Sequence, residues 1–382
     1  MSVTAALGFE AAAVAAGLKS SGGLDLAVVV NRGPLQHAAA VFTSNRSKAN
    51  PIIWSQQVIA DGTVSAIVLN SGGANCFTGA QGFQATHATA EAVAEAIGIS
   101  AGDVLVCSTG LIGDQLPLEK VLAGVTAASA ALGHHGEDAS LAIMTTDSKP
   151  KRSIKVGPGY TIGGMAKGAG MLAPGLATML VVITTDAAVQ PGALDRALRE
   201  ATRLSFDRLD SDGCMSTNDQ VSLLASGASG VTPSDVEFTE LLTEVCTDLA
   251  EQLQADAEGA SHDIRIEVVG AASEDDAVTV GRSVARNNLF KAAVFGNDPN
   301  WGRVLAAIGT TDAAFDPYSV DVSMNGVRVC HAGAPDRPRT EVDLSPRLVE
   351  LLIDLHAGTE TATILTNDLT HDYVHENSAY AS

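Results

Sequence analysis

The chain has 382 residues, 44 of them acidic and 23 basic, for a formal net charge of −21. So anionic a surface repels phosphate backbones, which excludes nucleic acid as an expected partner. A hydrophobic fraction of 46% with only 4% aromatic residues implies a globular core of Ala, Val, Leu and Ile, in a chain long enough for two or three domains.

Met1 to Leu18 is Ala-rich and lacks the basic stretch of a secretory signal. No apolar run approaches the roughly 20 residues that span a bilayer, so a cytoplasmic protein without a membrane partner is expected. Apolar runs predict strands at Leu24–Val30, Val64–Leu69, Val104–Cys107, Met179–Thr185, Val221–Ala225, Ile264–Val269 and Thr361–Leu365. Helices are expected at Ala85–Ile97, ended by Gly98, and at Gly192–Leu204, opened by Pro191. A third is expected over Ser234–Ala257, where Ser234 and Glu237 form a capping box ahead of Leu241, Val245, Leu249 and Leu253. The segment Ser148–Gly175, rich in proline and glycine turns, reads as a long loop feeding the strand at Met179. Mixed strands and helices without a long βαβ array predict an α/β fold, an α+β sandwich.

The five cysteines are scattered, with no CxxC or Cys/His spacing, so neither zinc nor a disulfide framework is expected. Cys107 and Cys214 have no His/Asn pattern to make either a nucleophile. His134 and His135 read as a surface loop, not a metal site. The Gly157–Gly170 region lacks the GxxxxGK[ST] pattern of a phosphate loop.

Thr178 stands between a Gly/Pro-rich loop and the buried run Met179 to Ile183. Threonine is a good strand residue, which is one explanation for it. The other is nucleophilic: a threonine hydroxyl needs an adjacent base. Cutting the Ala177–Thr178 bond would free an α-amino group with an ordinary pKa of about 7.7–8.0. Nucleophile and base would then belong to one residue.

The segment from Lys167 to Leu180, KGAGMLAPGLATML, resembles the cleavage segment of the ornithine acetyltransferase (glutamate N-acetyltransferase, ArgJ) family. The resemblance runs over essentially the whole chain. It includes Asn70–Gly79 (NSGGANCFTG), Ser108–Gly113 (STGLIG), Met144–Asp147 (MTTD), Ser216–Asp219 (STND), Phe295–Arg303 (FGNDPNWGR) and the end from Tyr373 to Ser382.

The resemblance implies an N-terminal-nucleophile-like, self-processing fold related to the aminopeptidase DmpA type, with a smaller C-terminal α/β domain. Residues 1–177 would form an α chain carrying the oxyanion hole, 178–289 the β-chain core with the nucleophile, and 290–382 a lobe closing over the site. It implies a ping-pong transfer of acetyl from N-acetylornithine to glutamate through acetyl-Thr178, in arginine biosynthesis and without cofactor or metal. Some members also accept acetyl-CoA, so the donors are N-acetylornithine alone or both. The α and β chains would assemble as an α2β2 heterotetramer.

By the same resemblance Thr109 and Gly110 form the oxyanion hole, and Lys167 binds substrate. Thr145 or Thr146, the former favoured, contacts substrate, and Glu258 meets its amino group. Asn377 and the terminal Ser382 fold back over the site. The family has Gly and Lys where this chain has Ala257 and His262, which puts that loop's detail in question. The alternatives are a related N-terminal-nucleophile amidase or aminopeptidase, a transferase of a specialised pathway, or a catalytically silent binding protein.

Overall fold

The computed structural model describes residues 2–173 and 179–379. Its strands in chain order are β1 (Phe9–Val14), β2 (Leu26–Asn31), β3 (His37–Phe42), β4 (Ala66–Asn70), β5 (Val104–Ser108), β6 (Lys151–Gly157), β7 (Tyr160–Lys167), β8 (Leu180–Thr185), β9 (Gln220–Ala225), β10 (Asp263–Ala271), β11 (Asp321–Met324), β12 (Val327–His331), β13 (Ala334–Pro335), β14 (Leu348–Asp354) and β15 (Glu360–Asn367). The helices are α1 (Asn50–Val58), α2 (Gly79–Ile97), α3 (Leu118–Ala130), α4 (Gly136–Ala142), α5 (Pro191–Leu204), α6 (Asp235–Ala255), α7 (Glu274–Ala285), α8 (Asn288–Phe295), α9 (Trp301–Ile308) and α10 (His371–Ser378).

Two sheets, in the orders β1-β2-β4-β5 and β3-β9-β8-β7-β6, stack face to face. Strand alternation divides their side chains between layers. Leu180 and Val182 of β8 meet Ala27, Val29, Ile67 and Leu105 between the sheets. Val181 and Ile183 face the other way, onto Leu194 and Leu198 of α5 and Leu242, Val245 and Leu249 of α6. Across the sandwich, Leu26, Val28, Val68 and Val106 pack under α2 and α3. Strands covered on both faces are buried at every position and mostly apolar, which is why these runs stand out in the sequence without alternation.

The third sheet, β13-β12-β11-β14-β10-β15, has helices against one face only. Its strands alternate accordingly: Ile264, Ile266 and Val268 are buried while Arg265 and Glu267 are exposed. β10, from Asp263, and α7 also belong to this layer.

The stretch 148–175 is not a plain loop. It contains the β6–β7 hairpin, turning at Pro158 and Gly159 (φ +84°) and pairing Lys151 with Ala166 through to Gly157 with Tyr160. β6 is the half-exposed edge of its sheet, so it carries polar residues and gives little apolar signal. The predicted helix at Ala85 begins six residues earlier, at Gly79. Gly82, a poor helix former, is required there because a β-carbon would strike Thr78, Asn75 and Asn50. Ser234 caps α6 as expected, accepting the Glu237 N–H at 3.2 Å.

Candidate active site

The hairpin delivers Lys167 to the end of β7, where it pairs with Leu180 at the start of β8. The chain between them leaves the sheet and returns. Its outgoing arm is anchored at successive residues. Asp147 accepts the Gly168 N–H (2.7 Å), and the Ala169 carbonyl accepts the Glu258 N–H (2.9 Å). Asp212 accepts the Met171 N–H (2.7 Å), and the Leu172 carbonyl accepts the Ser211 N–H (2.6 Å). On the returning arm, Met179 donates to Asp219 Oδ1 (3.0 Å) and accepts from the Gln220 N–H (3.2 Å). Ala177 and Thr178 lie outside the described residues, as does Ser382.

Thr109 and Gly110 follow β5, which runs parallel to β4. The turn is held by Thr109 N–H to the Asn70 carbonyl (3.0 Å) and Gly73 N–H to the Thr109 carbonyl (2.9 Å). Gly110 has φ +127°, and a β-carbon there would sit 2.9 Å from the Gly73 nitrogen. Among the described residues its N–H has no acceptor. Asn218 braces the turn from the facing sheet, donating to the carbonyls of Ala74 (2.7 Å) and Ser108 (2.8 Å).

Lys167, 1% exposed, donates from Nζ to Thr109 Oγ1 at 3.1 Å. A hydroxyl has one proton and two lone pairs. With a lone pair occupied by the ammonium, the Thr109 proton is left to donate into the cavity, the polarity an oxyanion needs. Burial pushes the Lys167 ammonium below its ordinary value; Asp147 opposes this and Lys151 adds to it.

One cavity of about 130 Å³ is lined by Thr109, Gly110, Thr145, Thr146, Lys167, Gly170, Met171, Glu258 and Asn377. Every site residue expected from the sequence that is described is in this set, including both threonines between which the sequence left a choice. A larger cavity of about 490 Å³ meets it at Thr146 and Glu258, and reaches Phe295, Thr370 and Glu376.

Glu258 Oε2 accepts from Asn377 Nδ2 at 3.0 Å, joining the loop after α6 to the C-terminal helix α10. Thr370 fixes that helix, its hydroxyl donating to the Gly259 carbonyl (2.6 Å) and accepting the Tyr373 N–H (2.9 Å). The two positions that depart from the family pattern are both accommodated. Ala257 packs in the α6 core. His262 is buried, with Nδ1 2.7 Å from Asp368 Oδ2 and Nε2 3.0 Å from the Leu344 carbonyl oxygen.

Sequence reasoning assigned no role to the charges behind this wall. Lys151, fully buried, pairs at 2.5 Å with both Asp147 Oδ1 and Asp256 Oδ2 and also donates to the Gly168 carbonyl (3.0 Å). Asp147 Oδ2 accepts the Thr145 N–H (2.9 Å). Burial works against the Asp147 charge, but Lys167, Lys151 and the Gly168 N–H outweigh it and hold the carboxyl below its ordinary value. This cluster therefore positions Thr145, Lys167 and the loop carrying Glu258. Its only sequence signal was Asp147 within the Met144–Asp147 motif.

Cys107 is buried, and burial pushes its thiol well up, against a nucleophilic role. No group of three or more His, Cys, Asp or Glu suited to a metal ion occurs among the described residues. No helix among them is long and apolar enough to cross a membrane.

The chain is also similar to known proteins. The chain is 64% identical to the arginine biosynthesis bifunctional protein ArgJ of Streptomyces avermitilis and 62% identical to that of Thermobifida fusca, in each case over 100% of both chains. Among solved structures it is similar to an ornithine acetyltransferase of Mycobacterium tuberculosis complexed with ornithine. That match has 49% identity and a TM-score of 0.43, covering 47% of this chain and 96% of that one. The profile of the ArgJ family matches residues 10–382, and the chain belongs to that family.

Proposed function

We propose that the protein is a self-processing acetyltransferase moving an acetyl group from N-acetylornithine to glutamate, with Thr178 as nucleophile. Carrying this reading is the convergence on one cavity of Thr109, Gly110, Thr145, Thr146, Lys167, Glu258 and Asn377, beside the strand that residue 178 enters. In maturation, the Thr178 hydroxyl attacks the Ala177 carbonyl carbon. The Ala177–Thr178 amide becomes an ester, the α-amino group is released, and water then hydrolyses the ester to an Ala177 carboxylate and a free hydroxyl.

In catalysis the α-amine takes the hydroxyl proton as Oγ attacks the acetyl carbon. Negative charge develops on the acetyl oxygen, where the Thr109 hydroxyl and the Gly110 N–H donate to it. The C–N bond breaks, the ammonium returns its proton to the departing ornithine amine, and acetyl-Thr178 remains. Glutamate then attacks through its α-amine, and the same steps in reverse release N-acetylglutamate. Glu258, with Asn377, receives the substrate's ammonium group. The α and β chains stay together in an α2β2 assembly in the cytoplasm, and acetyl-CoA is a candidate second donor.

The test is a denaturing gel with N-terminal sequencing of both species. The reading expects two fragments, the second beginning Thr-Met-Leu-Val, and an uncut, inactive Thr178→Ala protein. A single 39.0 kDa wild-type chain overturns it. Release of acetate from N-acetylornithine without N-acetylglutamate formation when glutamate is added would make it an amidase instead.

A further inference from the structure

The loop carrying Glu258 and the segment entering α10 meet just beyond the last pair of the β10–β15 ladder, Asp263 with Asn367. One position outward on each side stand His262 and Asp368, their side chains 8% and 0% exposed. Asp368 Oδ1 accepts the N–H groups of Ser261 and His262 (3.0 Å each), and Oδ2 accepts the Ser261 hydroxyl. The His262 ring is bounded by acceptors on both sides, the Leu344 carbonyl at Nε2 (3.0 Å) and Asp368 Oδ2 at Nδ1 (2.7 Å). A carbonyl oxygen only accepts, so Nε2 carries a proton. Ser261 Oγ, 3.1 Å from Nδ1, gives its own proton to Asp368. A further proton must therefore lie between Nδ1 and Oδ2, since two lone pairs would otherwise face each other in a site closed to water. His262 and Asp368 form a proton-bearing pair, a charge-assisted contact of the strong kind.

We propose that His262 is a positioning residue that, with Asp368, locks the Glu258 loop to the stem of α10, so that Glu258 and Asn377 face the cavity as one receptor for the substrate's ammonium group. The inference rests on the reading of this cavity as the site of acetyl transfer, and extends it to what holds the receptor together. Glu258 is carried on one side of the joint and Asn377 on the other, and their side chains meet at 3.0 Å. The neighbouring ties are neutral hydrogen bonds: Glu258 N–H to the Ala169 carbonyl (2.9 Å) and the Thr370 hydroxyl to the Gly259 carbonyl (2.6 Å). The His262–Asp368 pair adds the charge-assisted one, and through Leu344 it also fixes the joint to the chain ahead of β14. Neither His262 nor Asp368 lines the cavity. Both act on substrate only through the groups they hold in place.

The experiment is steady-state kinetics of the full chain with N-acetylornithine and glutamate, comparing wild type with His262→Gln. Glutamine puts a neutral amide where the proton-bearing ring stood, so the charge-assisted contact is lost. A misplacement of about 1 Å can cost ~100-fold; with the Thr370 and Ala169 ties kept, KM for N-acetylornithine is expected to rise ~10-fold. The value of kcat should stay within about twofold, because Thr109 and Gly110 stand on another segment and the ammonium group is bound equally before and during acyl transfer. Asn377→Ala should raise KM as well. Adding His262→Gln to it should raise KM no more than about twofold further, since both changes act on one receptor. Fully additive effects, an unchanged KM, or a loss confined to kcat overturns the lock. A wild-type protein that forms no N-acetylglutamate overturns instead the reading on which the lock rests. Hydrogen exchange on wild type covers the case of a variant that fails to fold. Saturating ornithine should slow exchange in residues 256–262 and in α10 together. Slowing in one of the two alone, or in neither, overturns the proposal.

Discussion

Gly170→Ala separates the position of the Glu258 carboxylate from the stability of the fold. A β-carbon on Gly170 would lie 2.5 Å from Glu258 Oε2 and 2.7 Å from both Cδ and Oε1. These atoms are the free end of a flexible side chain, so the backbone can stay while the carboxylate withdraws by about 1 Å to ordinary contact distance. That movement breaks the 3.0 Å bond from Asn377 and takes the carboxylate from where the substrate's ammonium would meet it. A charge-assisted hydrogen bond contributes about 1.5–3 kcal/mol, which corresponds to a fall of ~10–150-fold in kcat/KM. Most of the loss should appear in KM, because the ammonium group is bound equally before and during acyl transfer. Gly170 has no positive φ, so alanine adds no backbone strain, and the thermal midpoint should hold or rise slightly. Steady-state kinetics with N-acetylornithine and glutamate, alongside thermal denaturation, make the measurement. An alanine variant within twofold of wild type in kcat/KM, at an unchanged midpoint, refutes the assignment of substrate binding to Glu258.

Thr109→Val keeps the shape of the side chain and removes the hydroxyl beneath the cavity. Burst kinetics should show kcat reduced ~10²–10³-fold with KM nearly constant, and an unaltered burst would remove Thr109 from the oxyanion hole. Asp147→Asn leaves Lys151 with Asp256 as its remaining carboxylate, so denaturant unfolding at neutral pH should show a loss toward the lower end of ~3–5 kcal/mol. The sign of its pH dependence follows from the lowered native pKa of Asp147. The carboxylate's contribution is fully present above the unfolded value of about 3.9 and disappears as pH falls through the lower native value. The gap between wild type and Asp147→Asn should therefore be constant above about pH 5 and close only in strong acid. A gap that widens on acidification would contradict the pairing.

The layers were legible because their chemistry is local. Runs such as Ala66–Leu69 and Val104–Cys107 are apolar at every position, as suits strands buried on both faces, and Ser234 with Glu237 marks the start of α6 within four residues. The edge strand β6 was not legible, since half its side chains meet water and its turn reads as loop chemistry. The residues that line the cavity were legible through motif resemblance, not through any pattern of their own. Thr109, Lys167, Glu258 and Asn377 come from four separate segments, and only the fold makes them neighbours.

The supporting charges show the physical limit more sharply. Nothing in the spacing of Asp147, Lys151 and Asp256 distinguishes them from solvated surface residues, and Asp219 ends a polar stretch that could as readily be a turn. What distinguishes them is burial, and burial is a property of the assembled sheets. In a chain of net charge −21, Lys151 and Lys167 are withdrawn from the surface and set within one wall of one cavity. Each cation removed from water demands an anion or an oriented dipole. Lys151 has Asp147 and Asp256, while Lys167 has the Thr109 hydroxyl and the field of Asp147. The carboxylates that balance that positive potential also hold the backbone at Thr145, Ser148 and Gly168. The same residues thus fix the backbone at Thr145 and Gly168 and set the electrostatics of the cavity, so under the proposed function a substitution in this cluster should alter processing and transfer together.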